Sequence, residues 1–259
     1  MKITFLGTCS GTEPMPNRHH SSFVLEVNGS LYWFDAGENC SHRAHTMGLD
    51  LTHVRAVFLS HMHIDHTGGL ANLLFTVNKI TRIHKIPHVN GNAYDVFVPD
   101  LAAFEAIQRI AFYPDVAANT RVTVMAHEVK DGVVFDDGQV RVTAFHNRHL
   151  KETGEHGWHS YSYLIETEGR RVVFSGDVAC PEELDACMQH GCELLIMETG
   201  HHNLADVCAY AAKHGVGKLL LTHHHRQMMG DMAAAEAFVA SQPIAVRLMN
   251  DGDTETLGV

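Results

Sequence analysis

Between Ser60 and Gly69 the chain reads Ser-His-Met-His-Ile-Asp-His-Thr-Gly-Gly, which places His61, His63, Asp65 and His66 in one short segment. Three imidazoles and a carboxylate at this density cannot all be ordinary core groups, because each buried one would need its own hydrogen-bond partner. A divalent cation satisfies them together. The segment follows the apolar, strand-like residues 54–59 and precedes residues 68–75, whose apolar side chains recur at helical spacing. The histidines therefore belong to a strand-to-helix loop, where sites on α/β sheets commonly form.

Ligands that complete this cation, or hold a second one, should also follow apolar strands. Four residues obey that rule: Asp35 in Trp33-Phe34-Asp35-Ala36-Gly37, His149 after residues 140–145, Asp177 in Phe174-Ser175-Gly176-Asp177, and His223 after Leu219-Leu220-Leu221-Thr222. His146 competes with His149 in the same stretch. His201 and His202 follow the strand-like residues 193–197 and should end near the metals. Either one could protonate a leaving oxygen, cap the next helix or lie at the surface. His225 and Arg226, just beyond His223, suit an anionic group of the substrate or a salt bridge on a loop.

The elements that carry these residues arrive in two groups. Residues 1–6, 22–27 and 31–34 have strand patterns, and Asn28-Gly29 is a hairpin turn between the last two, so the chain opens as an antiparallel meander. A second half repeats the plan, with strands near 120–124, 133–135, 140–145, 161–166 and 171–175, helices from Pro181 and Leu204, a strand at 218–222 and a helix over 231–240. Asp251-Gly252-Asp253 is a turn before a last short strand. Strands in groups with helices between them predict two packed sheets covered by helices.

At 259 residues the chain can form one domain of this kind over residues 1–259. No stretch resembles a signal peptide and no apolar run approaches the roughly 20 residues of a membrane span, which predicts a cytoplasmic protein with no membrane partner. The six cysteines form no C-x-x-C pair and are expected to be buried, reduced thiols. Lys and Arg number 19 against 30 Asp and Glu, and the resulting net charge of −11 opposes binding to polyanions, so nucleic acid is disfavoured as a partner. Nothing in the sequence demands or excludes a homo-oligomer.

The ordered set of the H-x-H-x-D-H run, a distant histidine, an aspartate and a last histidine resembles the metallo-β-lactamase superfamily over nearly the whole chain. The opening Phe5-Leu6-Gly7-Thr8-Cys9-Ser10-Gly11-Thr12, followed by Asn17-Arg18-His19-His20-Ser21-Ser22, is similar to the start of its ribonuclease Z and cyclic phosphodiesterase branch. The resemblance implies a four-layer αββα sandwich. It implies His61, His63 and His149 as ligands of one metal, Asp65, His66 and His223 as ligands of the other, Asp177 as the bridging carboxylate, and Asp35 as the acidic residue supporting the histidine loop. The register of the family's distant histidine favours His149 over His146.

Two divalent ions roughly 3.5–4 Å apart share a water, lower its pKa towards neutrality and clamp the attacking and leaving oxygens of an ester, so the expected nucleophile is a bridging hydroxide. Asp65, as a ligand, is then part of the reacting centre. A nitrogen and oxygen ligand set without cysteine fits zinc best and also admits manganese, iron or nickel. Ribonuclease Z enzymes recruit tRNA with a long arm between the third histidine and the bridging aspartate, whereas here the interval from His149 to Asp177 is filled by the two strand patterns at 161–166 and 171–175. This departure disfavours tRNA 3′ processing and points to a small phosphodiester. Hydrolysis of a carboxylic ester, lactone or thioester on the same metals is the alternative chemistry, and an inactive metal-binding protein is the alternative class.

Overall fold

A computed structural model describes residues 1–113, 120–152 and 157–258. The chain divides into two compact units, one built from Met1–Gly7, His19–Val129 and Asp251–Val259, the other from Thr8–Arg18 and Lys130–Asn250. Each is organised around a seven-stranded mixed sheet.

In the first unit the strands are β1 (Lys2–Gly7), β2 (Ser22–Val27), β3 (Ser30–Phe34), β4 (Val54–Phe58), β5 (Ala93–Val98), β6 (Thr123–Glu128) and β14 (Thr254–Thr256), in the order β14-β1-β2-β3-β4-β5-β6. The pairings from β14 to β3 are antiparallel, as the meander predicts, and those from β3 to β6 are parallel. Parallel neighbours need crossover helices. These are α1 (Cys40–Thr46), the single turn α2 (Ile64–Thr67), α3 (Leu70–His84) and α4 (Leu101–Ala111). One sheet face, with Val24, Trp33, Val57 and Val96, packs on Ala44, Leu73, Val77 and Phe104 of the helices. The other carries a ladder of rings across adjacent strands, Phe5, Phe23, Phe34, Phe58 and Phe97, with successive centroids 4.9–5.7 Å apart. Each of these rings is buried. Such cross-strand aromatic pairs fix register, because a slip of one residue would turn every ring to the opposite face.

The second unit has the order β13-β12-β11-β10-β9-β8-β7, built from β7 (Gly132–Asp136), β8 (Val140–His146), β9 (Tyr161–Thr167), β10 (Arg170–Phe174), β11 (Leu194–Thr199), β12 (Lys218–His224) and β13 (Ala245–Leu248). Again three strands pair antiparallel into the fourth and the rest run parallel. Helices α5 (Leu204–Lys213), α6 (Arg226–Met229) and α7 (Met232–Ala240) follow β11 and β12, and Val207, Ala211 and Val239 pack on Leu195, Leu219 and Leu221. No helix among the described residues is long and apolar enough to cross a membrane.

Three expectations need correction. The helix from Pro181 is only the 3-10 turn Pro181–Leu184, because Glu183 accepts the backbone N–H groups of Arg148 and Ala179 and ties the segment to neighbouring loops. Strand β6 begins at Thr123 rather than Thr120 and belongs to the first sheet rather than to the second group of strands, since it pairs with β5 from Ala93 to Val98. Five cysteines are buried but Cys180 is exposed.

Candidate metal centre

In the first unit the histidine loop is set by Asp35, which follows β3 with φ +54°, a left-handed conformation that a non-glycine residue adopts only when its surroundings hold it there. The hold is visible. Asp35 N donates to Phe58 O at 2.9 Å, and Ser22 Oγ, itself the acceptor of the Trp33 indole N–H, donates to Asp35 O at 2.8 Å. The fully buried carboxylate accepts from Ser60 N at 2.7 Å and Ser60 Oγ at 2.8 Å, and lies 2.7 Å from His66 Nδ1. Ser60 Oγ is also 3.1 Å from His61 Nδ1. Both rings thus have Nδ1 engaged, which directs each Nε2 towards a cation.

Glycine allows the loop to close. Ala36 N donates to His66 O, Gly69 N donates to Ala36 O, and a Cβ on Gly69 would lie 2.1 Å from Gly37 O. The result brings the His61 ring to 4.1 Å from that of His66 and 4.5 Å from that of His63, with Asp65 Oδ2 3.4 Å from His66 Nε2. The loop thus gathers three imidazoles and a carboxylate, donor types suited to divalent cations.

In the second unit Asp177 follows β10 after Gly176, whose φ of +56° turns the chain. His223 Nε2 lies 3.4 Å from Asp177 Oδ1, while His149 Nε2 and His201 Nδ1 lie 3.7 and 3.8 Å from Asp177 Oδ2. His149 is placed by Asn147, which accepts from its backbone N–H and donates to Ser162 Oγ. His146 points elsewhere, with Nδ1 2.6 Å from Asp131 Oδ2 and its ring stacked on Trp158. Of the two candidates, His149 is the one beside Asp177.

Behind this group stands Glu198, a buried carboxylate at the end of β11. It accepts from Val178 N and His201 N, and lies 2.9 Å from His201 Nδ1, 3.4 Å from His202 Nε2 and 3.6 Å from His223 Nδ1. Burial opposes its charge, but hydrogen bonds from the three histidines outweigh it and hold the carboxyl well below its usual range. The His201 pKa is raised, chiefly by its hydrogen bond to Glu198. For His202 burial acts downward and is the largest single effect, but the hydrogen bond and charge of Glu198, with the bond to Val178 O and the charge of Asp177, together outweigh it and give a rise. Ligand atoms of Asp177, Glu198, His201 and His223 all lie within 4.8 Å of one another, a second set with the chemistry of a cation site.

The family model of the anti-Pycsar protein Apyc1 matches residues 1–241. The chain belongs to this family. Among relatives of this Apyc1-family chain, a ribonuclease Z of Mycobacterium marinum is 29% identical over 251 residues that cover 86% of each protein. Human tRNase Z, short form, has a TM-score of 0.73 at 22% identity over the whole of both chains. The metallo-β-lactamase fold protein YhfI of Bacillus subtilis has 0.74 at 20% identity over 98% of each. The αββα sandwich expected from the motifs is the fold of this Apyc1-family chain. It is a metal-dependent hydrolase of the metallo-β-lactamase superfamily, in the ribonuclease Z-like branch.

Glu198 is the site residue that sequence reasoning passed over. Its signal was present, a carboxylate ending an apolar strand as Asp35 does, but the histidines beside it drew the assignment. The remaining candidates separate by exposure. His201 has 44% of its side chain exposed, whereas His202 has 10% and donates to Val178 O. His225 accepts from Met228 N as the cap of α6, and Arg226 is exposed and paired with Glu13 at 2.6 Å, the loop salt bridge rather than a group held ready for substrate. His224 bonds Thr199 Oγ1 and Met249 O in the interior, where burial lowers its pKa to about 3.

Proposed function

We propose that this chain is a phosphodiesterase acting on a small phosphodiester with two divalent cations. His61, His63 and His149 would hold one, Asp65, His66 and His223 would hold the other, Asp177 would contribute to both, and zinc is the metal best matched to the set. The observation that carries the reading is the Asp177, His201 and Glu198 arrangement, which pairs a ligand carboxylate with a half-exposed imidazole held on a buried acid. The ribonuclease Z relatives, whose name denotes cleavage of RNA, support a phosphodiester. The short interval from His149 to Asp177, occupied in part by β9 and β10, and the charge of −11 favour a substrate smaller than tRNA.

When bound, the cations supply Lewis acidity and lower the pKa of water. The protein's own groups do the rest. Asp35 and Ser60 orient the imidazoles of His66 and His61. Glu198 orients His201 and favours its protonated form, so that Nε2–H is available to a leaving oxygen. His202 buttresses Glu198 from the buried side. The partner is a small-molecule ester.

The test is hydrolysis of a bis-aryl phosphodiester by protein reconstituted with zinc or manganese, alongside a lactone, a thioester and an Asp65→Ala control. Metal-dependent turnover of the phosphodiester, lost in the control, is the expected result. Cleavage of the lactone or thioester alone would retain the metals and sink the substrate class.

A further inference from the structure

A cavity of about 340 Å³ in the first unit, lined by Thr81, Arg82, Lys85, Ile86, Pro87, Asn92 and Arg121, stands apart from the histidine loop. Among the described residues, no acidic one lines it. The chain carries eleven more acidic than basic residues, yet none of these three cations forms an ion pair among the described residues. The negative end of α3 accounts for Arg82 in its last turn and Lys85 at its C-cap. It does not account for Arg121, which comes from the segment before β6 and is placed by the bond from its backbone N–H to Asn78 Oδ1 at 2.7 Å. Like charges gathered from two elements repel unless an anion offsets them.

A second observation comes from the cavity wall. Asn92 uses its Oδ1 to accept from His88 N, which leaves its NH₂ as a donor. The polar lining thus offers donors from Arg82, Lys85, Asn92 and Arg121, the complement of an oxyanion with several acceptor oxygens. Ile86 and Pro87 form an apolar flank.

We infer that this cavity is a binding site for a phosphomonoester dianion, its phosphoryl oxygens held by Arg82, Lys85, Arg121 and the Asn92 amide, and its organic group lying against Ile86 and Pro87. The site is separate from the proposed hydrolytic reading and stands whether or not that reading holds.

The experiment is calorimetric titration of the metal-loaded protein with inorganic phosphate and, separately, with phenyl phosphate, in wild type, Asp65→Ala and Arg82→Gln/Arg121→Gln. The expected result is a phosphate-binding component that survives Asp65→Ala and weakens at least about tenfold in Arg82→Gln/Arg121→Gln. Tighter binding of phenyl phosphate than of phosphate would assign the apolar flank to an organic ester, and equal binding would assign the site to free phosphate. Binding unchanged in the arginine variant, or no component surviving Asp65→Ala, overturns the proposal. Should the double variant melt early, the exposed Lys85→Gln tests the same point, with a severalfold weakening expected and none overturning it.

Discussion

Asp35 Oδ2 lies 2.7 Å from His66 Nδ1, and neither side chain is more than 1% exposed. This contact, together with the two hydrogen bonds from Ser60, makes Asp35 the point on which the histidine loop is oriented. Loss of such an outer carboxylate typically lowers metal affinity about 10–100-fold. Asp35→Asn is expected to fall in that range by competition with a chromophoric chelator, and unchanged affinity would remove Asp35 from the site.

A close approach in the second unit makes a separate prediction. A Cβ on Gly200 would lie 2.5 Å from His223 Nδ1 and 3.2 Å from Glu198 Oε2. Gly200→Ala must displace the His223 ring, and a misplacement of about 1 Å at a reacting centre can cost on the order of 10²-fold in rate. Turnover is expected to drop by at least about tenfold, with the protein still folded by circular dichroism. Wild-type turnover would show that His223 does not need this position.

His201 and His202 share Glu198 but differ in exposure, so their replacements should part company. For His201→Ala, kcat on an alkyl phosphodiester should fall about 10²–10⁴-fold, the usual contribution of a general acid. The loss should shrink for a nitrophenyl leaving group, which needs little protonation. His202→Ala should instead lower stability by about 1–3 kcal/mol through the unpaired polar groups it leaves, as read by urea denaturation. Equal kinetic losses for both substrates would argue against His201 as the acid.

Acid sensitivity has an identified contributor away from the metals. Burial, with a smaller effect of His53, lowers the pKa of His88 from 6.5 to about 4. Between those values the unfolded chain binds more protons at this position than the native one, so stability is fully present above about 6.5 and is lost as pH falls towards 4. The loss is on the order of 1 kcal/mol per pH unit. Urea denaturation at pH 7 and pH 5 should show a smaller difference for His88→Gln than for wild type. Identical differences would dismiss His88 as the cause.

Much of this was legible in the chain because the sites sit where apolar strands end. The H-x-H-x-D-H run, Asp35 and Asp177 each follow a strand and His223 lies near the end of β12, whereas the strand read near 120–124 and the last short strand, placed with the second group, join the first sheet as β6 and β14. Strand limits were less legible at β6, where the partner β5 rather than the apolar run decides the start. The same holds for Pro181–Leu184, where backbone donors from distant loops capture the Glu183 side chain and no helix continues.

The sequence alone determined residue types and their intervals, hence most of the strands, because these depend on periodicity and local order, and the resemblance of its motifs pointed to the superfamily and the candidate ligands. It did not determine which of His146 and His149 meets Asp177, nor that Glu198 gathers His201, His202 and His223. Those outcomes rest on hydrogen bonds between residues far apart in the chain, Asn147 with Ser162 and Val178 with Glu198 among them. A buried carboxylate reveals its partners only when folding removes the water that would otherwise solvate it.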